Sequence, residues 1–294
     1  MRVVAFKHRQ DAEAYRVGIL SGEDAIADFT HLIADDDLRP DEVLAGYDLS
    51  TGMIDLIKAE LSNLPIVDLS SVHLASPIPR PGKIICIGLN YRDHAEESGM
   101  PIPDSPIIFS KFGTCVIGSG EAIRIPSGSE KVDYEAELAV VIGRTAKGVP
   151  AGEAMDHVFG YTNFNDVSAR DFQFADGQWQ RGKSCDTFAP MGPSVVTVDE
   201  VADPHNLNIR FRLNGETLQD SNTCQLIFKT PELIEFLSRI ITLEPGDVIA
   251  TGTPPGVGFA RKPPIFMKPG DVAEVEIQQL GTLINRVGNE YVQS

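Results

Sequence analysis

Apolar and polar positions recur with two periods along this chain, and the period of two dominates. The segments "RVVAF" (2–6) and "YRVGIL" (15–20) predict short strands near the start. Met53, Ile54, Ile57 and Leu61 recur at helical spacing and predict a helix ending before Pro65. "KIICIGL" (83–89) is an uninterrupted apolar run of strand length, the mark of a strand buried on both faces. "IRFRLNGETLQ" (209–219) alternates around Asn214-Gly215, a strong two-residue hairpin signal. "DVAEVEI" (271–277) places Ala273, Val275 and Ile277 on one face and Glu274 and Glu276 on the other. One clear helix is predicted where Thr230 as N-cap and Pro231 precede "ELIEFLSRI". Pro-Gly-Asp stands before a strand at 245–247 and again at 269–271, a repeated turn solution and not an internal repeat. The pattern predicts an α+β fold dominated by β, with no regular βαβ series.

Pro77, Pro79 and Pro81 in "SPIPRPGK" predict a stiff, extended connector. It divides the chain into a small N-terminal α/β module, residues 1–73, and a larger unit, residues 74–294.

Composition changes this picture little, and charge changes it more. At 294 residues the chain is long enough to bury a large core. Its net charge of −17 argues against non-specific binding to nucleic acid or to anionic membrane surfaces. Residues 1–78 hold 14 acidic and 6 basic side chains, with the run Asp35, Asp36, Asp37 reading as a solvated surface. Cys86, Cys115, Cys185 and Cys224 are widely spaced, which argues against a zinc cluster or disulfide framework and for a reducing compartment. The N-terminal apolar run breaks too early for a secretory signal, and no stretch reaches the roughly 18–20 apolar residues of a membrane span. A cytoplasmic protein is the expectation.

Against that background "VDYEAELAVVIG" (132–143) is anomalous. Glu135 and Glu137 lie two apart in a predicted strand, so both leave one face, and Ala139 and Val141 continue that face inward. Buried carboxylates must be paired, protonated or bound to a metal. Asp166, in the polar segment "GYTNFNDVSARD", offers a third oxygen donor with no His or Cys beside it. Such a set suits Mg²⁺ or Mn²⁺ better than zinc. The alternative is that the glutamates face solvent on an edge strand.

Other candidates are weaker singly. His94 and Glu97 in "LNYRDHAEESG" share one face of a helical turn, where a carboxylate-held His could activate a water; a plain surface helix start fits as well. "GQWQRGKS" (177–184) satisfies the P-loop expression, but no apolar strand precedes it and Pro190 and Pro193 forbid a long following helix. What remains there is Lys183 as a fixed charge or a surface ammonium. "IATGTPPGVG" (249–258) could hold a carboxylate on backbone N–H groups and the Thr253 hydroxyl, or be an ordinary turn. The absence of a GxSxG elbow leaves covalent acyl-enzyme chemistry little support.

Taken in order, "GLNYRDHAEESG", "VDYEAELAVVIG", "GYTNFNDVSARDFQ", "RGKSCDTFAPMGP" and "LEPGDVIATGTPPGVG" resemble the fumarylacetoacetate hydrolase family over roughly residues 80–290. The resemblance implies a mixed β-sandwich roll, usually a homodimer, with Mg²⁺ or Mn²⁺ held by Glu135, Glu137 and Asp166. It makes His94 and Glu97 a water-activating dyad on a lid, and Lys183 the charge opposite a developing enolate. Gln173, Gly252 and Thr253 become candidates for contacting substrate. The implied activity is C–C bond hydrolysis of a 2,4-diketo acid, of acylpyruvate or deoxy-sugar-acid type, releasing pyruvate through an enolate held by the metal and Lys183. "FQFADGQWQRGKS" leans towards small aliphatic or sugar-derived diketo acids. The alternatives within the family are oxaloacetate decarboxylation or tautomerisation, dienoate isomerisation and sugar-acid dehydration. A non-catalytic, metal-dependent binding protein is the alternative of another class. The partner expected is a small anionic 2-oxo or 2,4-diketo acid, with no nucleic acid and no membrane.

Overall fold

The computed structural model describes residues 1–22, 24–33, 51–175 and 177–289, so the Asp35–Asp37 run lies outside the described residues. Two sheets carry the architecture. The central sheet runs in the order Ile66–Asp68, Ala25–Asp28, Asp11–Ser21, Arg2–His8, Ala189–Thr197, Val158–Asn165, Ala136–Ile142, Val248–Ala250, Ile84–Gly88, Ile107–Lys111. Val248–Ala250 and Ile84–Gly88 pair in parallel, while the other neighbours on this path pair antiparallel, so the sheet is mixed. A second sheet, Glu216–Asn222, Asn208–Leu213, Val272–Ile277, Gly281–Asn289 and Ile123–Ile125, packs across one face of the first. β-structure dominates, and the fold is the mixed β roll expected.

The alternation in the sequence explains the layers. In the central strand Ala136–Ile142 every residue is buried, because Leu138 and Val140 face one core cluster and Ala139 and Val141 face the other. In Val272–Ile277 only Ala273, Val275 and Ile277 are buried, facing the core from an outer strand. Asn214 and Gly215 both take positive φ, 54° and 82°, as a tight hairpin turn of this twist requires. The strand Ile84–Gly88 is buried throughout, as its apolar run implied.

Two local expectations shift. The predicted helix near residue 230 spans Thr230–Ser238, with Lys229 rather than Thr230 at its N-cap. Thr230 Oγ1 is engaged by His205 Nε2 at 3.0 Å, and Glu232 accepts the Lys229 N–H at 2.6 Å, so other groups satisfy the helix start. In the earlier helix, Thr51–Glu60, Ile54 and Ile57 are buried, whereas Leu61 stands beyond its end and is exposed. The proline-rich connector is packed into the protein, with residues 75–79 all buried. On either side of it the strands belong to one sheet: Arg2–His8 pairs with Ala189–Thr197 in the register Val3↔Val195.

Candidate active site

Glu135 stands one residue before the strand Ala136–Ile142 and Glu137 lies inside it. That strand pairs with Val158–Asn165 in the register Ala136↔Asn165, Glu137↔Phe164. The chain then turns so that the Asp166 N–H donates to the Glu135 carbonyl at 2.9 Å. Antiparallel pairing thus returns Asp166 to the glutamate pair across thirty residues of chain. One oxygen from each carboxylate lies within 4.8 Å of the others, and all three residues are buried.

Three like charges in a low dielectric require compensation. Lys183 Nζ sits between Glu135 Oε2 at 2.8 Å and Asp166 Oδ2 at 2.7 Å, itself 2% exposed. Arg170 donates through Nη2 to Glu135 Oε1 at 2.6 Å, through Nε to Asp133 Oδ2 at 2.9 Å and through Nη1 to Gln173 Oε1 at 2.9 Å. Burial opposes ionisation of Glu135, but the Lys183 and Arg170 charges outweigh it and hold its carboxyl at about 2. Among the described residues Glu137 receives only the Gly252 N–H, at 2.9 Å. Burial, reinforced by Asp166 and Glu135, pushes its carboxyl well above the usual carboxylate range.

The donor set fits a hard divalent cation. It consists of carboxylate oxygens alone, and Asp166 Oδ1 is a buried atom without a hydrogen bond; its neighbour at 2.6 Å, Lys111 Nζ, contacts it as an ion pair only. Glu137, under-compensated by the protein, is where added positive charge would relieve most repulsion.

A cavity of about 490 Å³ opens over these groups, its wall including Glu135, Glu137, Lys183, Gln173, His94 and Glu97. His94 and Glu97 belong to the helix Arg92–Ser98, with His94 Nδ1 and Glu97 Oε2 3.3 Å apart. The helix is fastened at both ends of its inner face. Both Glu97 oxygens lie 3.1 Å from the Gly256 N–H, and Asp93 Oδ2 accepts from Ser221 Oγ at 2.5 Å.

The turn-rich loop after Val248–Ala250 therefore holds the protein's own carboxylates. Gly256 N–H serves Glu97, while Gly258 N–H and Phe259 N–H serve Asp133 at 2.7 and 3.0 Å. Gly252 orients Glu137, and only glycine suits it: φ is +103° and a Cβ would come within 2.8 Å of the Asn90 side chain. The Thr253 hydroxyl lines the cavity but already donates to the Ala136 carbonyl and accepts from Gln219 Nε2, each at 2.9 Å. The P-loop-like stretch forms only the short turn Gln180–Lys183, which delivers Lys183 to the carboxylates. Cys86 and Cys115 are buried, and burial pushes the Cys185 thiol to about 11, which leaves no activated thiol among them.

Sequence reasoning passed over three residues here. Arg170 and Asp133 lie inside recognisable motifs, yet nothing in their spacing distinguishes them from surface charges. Lys111 carries no such mark either, since a lysine at the end of an edge strand commonly guards against aggregation. Its side chain is fully buried; besides Asp166 it bonds the Val167 carbonyl at 3.0 Å and the Lys183 carbonyl. It pins Asp166 and the Lys183 turn together. Lys111→Met is expected to weaken Mn²⁺ binding by roughly 10- to 100-fold, the range for loss of an outer partner of a ligand. Calorimetric titration showing unchanged affinity would reduce Lys111 to a packing role.

Residues 83–288 match the family described as fumarylacetoacetate (FAA) hydrolase, C-terminal. The chain belongs to the fumarylacetoacetate hydrolase family. Among similar members, the mitochondrial oxaloacetate tautomerase fahd2 of Xenopus laevis is 47% identical over 98% of this chain and 90% of its own length. The mitochondrial oxaloacetate tautomerase FAHD2A of Bos taurus is 52% identical over 78% of this chain and 74% of its own. Among solved structures, maleylpyruvate hydrolase from Sphingobium sp. SYK-6, in complex with manganese(II) and pyruvate, is 33% identical with a TM-score of 0.82, covering 99% of this chain and 100% of that one. Fumarylacetoacetate hydrolase from Exiguobacterium antarcticum is 34% identical with a TM-score of 0.84 over the same shares. The family's members named here act on small keto acids. The relatives' names also overturn the expectation of a cytoplasmic protein, because they place those proteins in the mitochondrion. Widely spaced cysteines argue against a disulfide framework but do not tell one reducing compartment from another.

Proposed function

We propose that this chain interconverts the enol and keto forms of a small 2-oxo dicarboxylate, with oxaloacetate as substrate and Mg²⁺ or Mn²⁺ as cofactor. The observation that carries this reading is the 47% identity to an oxaloacetate tautomerase across 98% of the chain. It supports tautomerisation over the diketo-acid hydrolysis expected from the motifs.

The reaction removes one proton from the enol oxygen and delivers one to C3; no water is consumed and no C–C bond breaks. A divalent cation on Glu135, Glu137 and Asp166 would polarise the 2-oxo group and offset the substrate's negative charge. Lys183 supplies a second fixed positive charge against the enolate, desolvated and held in place before substrate arrives. His94, oriented by Glu97 and lining the same cavity, is the proton-transfer group. The Glu97–Gly256 and Asp93–Ser221 bonds keep that pair over the cavity.

C–C bond hydrolysis is the second reading, supported by the manganese- and pyruvate-bound maleylpyruvate hydrolase and by the His94–Glu97 pair, which could equally activate a water. Oxaloacetate rich in enol and acetylpyruvate, each offered with Mg²⁺, separate the possibilities. Loss of enol absorbance with oxaloacetate conserved supports tautomerisation. Pyruvate with acetate from acetylpyruvate shifts the assignment to hydrolysis, and pyruvate with CO₂ from oxaloacetate shifts it to decarboxylation. His94→Ala is expected to lower kcat by about 10²- to 10⁴-fold with Mn²⁺ binding retained. A variant with wild-type kcat would remove His94 from the chemistry, and a wild type that turns over none of these substrates would favour a binding protein over an enzyme. Assembly as a homodimer belongs to the same proposal, and a monomer mass by light scattering would remove it.

A further inference from the structure

Two cavities meet at three side chains. The site cavity of about 490 Å³ and an outer cavity of about 740 Å³ share Ile107, Phe109 and Trp179 in their walls. The outer cavity follows the edge strand Ile107–Lys111, with Ile107, Ile108 and Ile241 beside Ser110, Gln178 and Gln180 in its wall. Its Lys83 is committed to Glu244 at 2.6 Å and Asp247 at 2.9 Å, and its Ser110 to Gln180 at 3.2 Å, so the space offers isoleucine side chains beside polar groups that already have partners.

Trp179 is built into this partition. Its ring stands edge-on to Phe109, with centroids 5.3 Å apart and planes at 71°. On its other side it lies against Gly88, where a Cβ would come within 3.0 Å of the indole, so glycine there makes room for the ring. The Trp179 carbonyl accepts the N–H groups of Gly182 and Lys183, both at 3.0 Å. The indole therefore heads the turn that delivers Lys183, and those backbone bonds do not depend on the side chain.

We propose that Trp179 determines substrate length: its indole closes the site cavity against the outer one, so that short 2-oxo acids fit and those with an extended apolar tail are excluded. The inference rests on the reading of this site as a 2-oxo-acid site. Removing the indole joins the inner cavity to an extension walled in part by isoleucine. Each methylene that enters it gains roughly four-fold in affinity, the equivalent of the usual transfer free energy of a CH₂ group.

Trp179 is the chain's single tryptophan, so wild-type fluorescence reports on the partition directly. The test titrates Mg²⁺-loaded protein with unbranched 2-oxo monocarboxylates from pyruvate to 2-oxooctanoate, by fluorescence for wild type and by calorimetry for wild type, Trp179→Phe and Trp179→Ala. Wild-type affinity is expected to fall as the tail lengthens, with a change in tryptophan emission on binding. Trp179→Ala should reverse the trend and favour the longer acids, and Trp179→Phe should move the same way by less. Circular dichroism and retained Mn²⁺ binding establish that the variants are folded. Identical chain-length profiles in folded variants and wild type would overturn the partition alone. Failure of wild type to bind any 2-oxo acid, pyruvate and added oxaloacetate included, would overturn the reading of the site and the partition with it.

Discussion

Glu137→Gln is expected to leave a metal-free protein more stable than wild type and unable to carry out its reaction. The carboxylate is buried beside Asp166 and Glu135, and its recorded partner is one backbone N–H, from Gly252. Glutamine keeps the shape and an oxygen for that N–H while removing the charge. Because the folded protein raises this carboxyl, the unfolded chain gives up its proton more readily, and wild-type stability falls as pH rises through the folded-state value. The variant lacks that loss. Its advantage in metal-free melting should be absent below about pH 4.3, the unperturbed glutamate value, and should grow above it until the folded carboxyl ionises. Metal binding should move the other way, falling by more than the roughly 10- to 100-fold typical of an outer partner, since an oxygen ligand has lost its charge. Mn²⁺ titration and melting curves across pH check both halves. A variant less stable than wild type at neutral pH, or one that still binds Mn²⁺ tightly, would contradict this account.

The sequence shows why Glu137 is anomalous but not how the anomaly is managed. Period-two patterning located Val272–Ile277, the Asn214-Gly215 hairpin and the buried strand Ile84–Gly88, because each records burial on a strand face or a turn geometry within a few residues. The carboxylate pair was legible for the same reason: two charges on an inward face are rare enough to demand a cause. Asp166 joined them through its polar context, and the match of five ordered motifs tied it to Lys183 and His94. The compensating charges were not legible. Lys111 reaches Asp166 from an edge strand fifty-five residues earlier, and Asp133 is recruited by Gly258 and Phe259 from far along the chain. Such pairings are decided by sheet order, which local periodicity does not record. The same holds for the Gly256 N–H, whose loop chemistry suggested a substrate carboxylate but which meets Glu97.

Asp166→Ala is expected to do what Glu137→Gln does not: damage the fold as well as the metal site. Asp166 is 0% exposed and answers two buried ammonium groups, Lys183 at Oδ2 and Lys111 at Oδ1. Removing it leaves Lys183 with Glu135 alone and Lys111 with two backbone carbonyls. Breaking a buried ion pair from one side costs about 3–5 kcal/mol, because the surviving charge stays desolvated. For a chain of this length that corresponds to a fall in Tm of roughly 6–20 °C. Mn²⁺ should not rescue it, since one of the three proposed ligands is missing. The double variant Asp166→Ala, Lys111→Met should recover part of the loss, because one stranded ammonium goes with its partner and the two sites are in contact. Thermal melts of the two single variants and the double variant close the cycle. If Asp166→Ala melts like wild type, or if Lys111→Met recovers nothing in its presence, the buried charges are not held by Asp166. The two carboxylates would then differ in what they bind, but not in what they do for the fold.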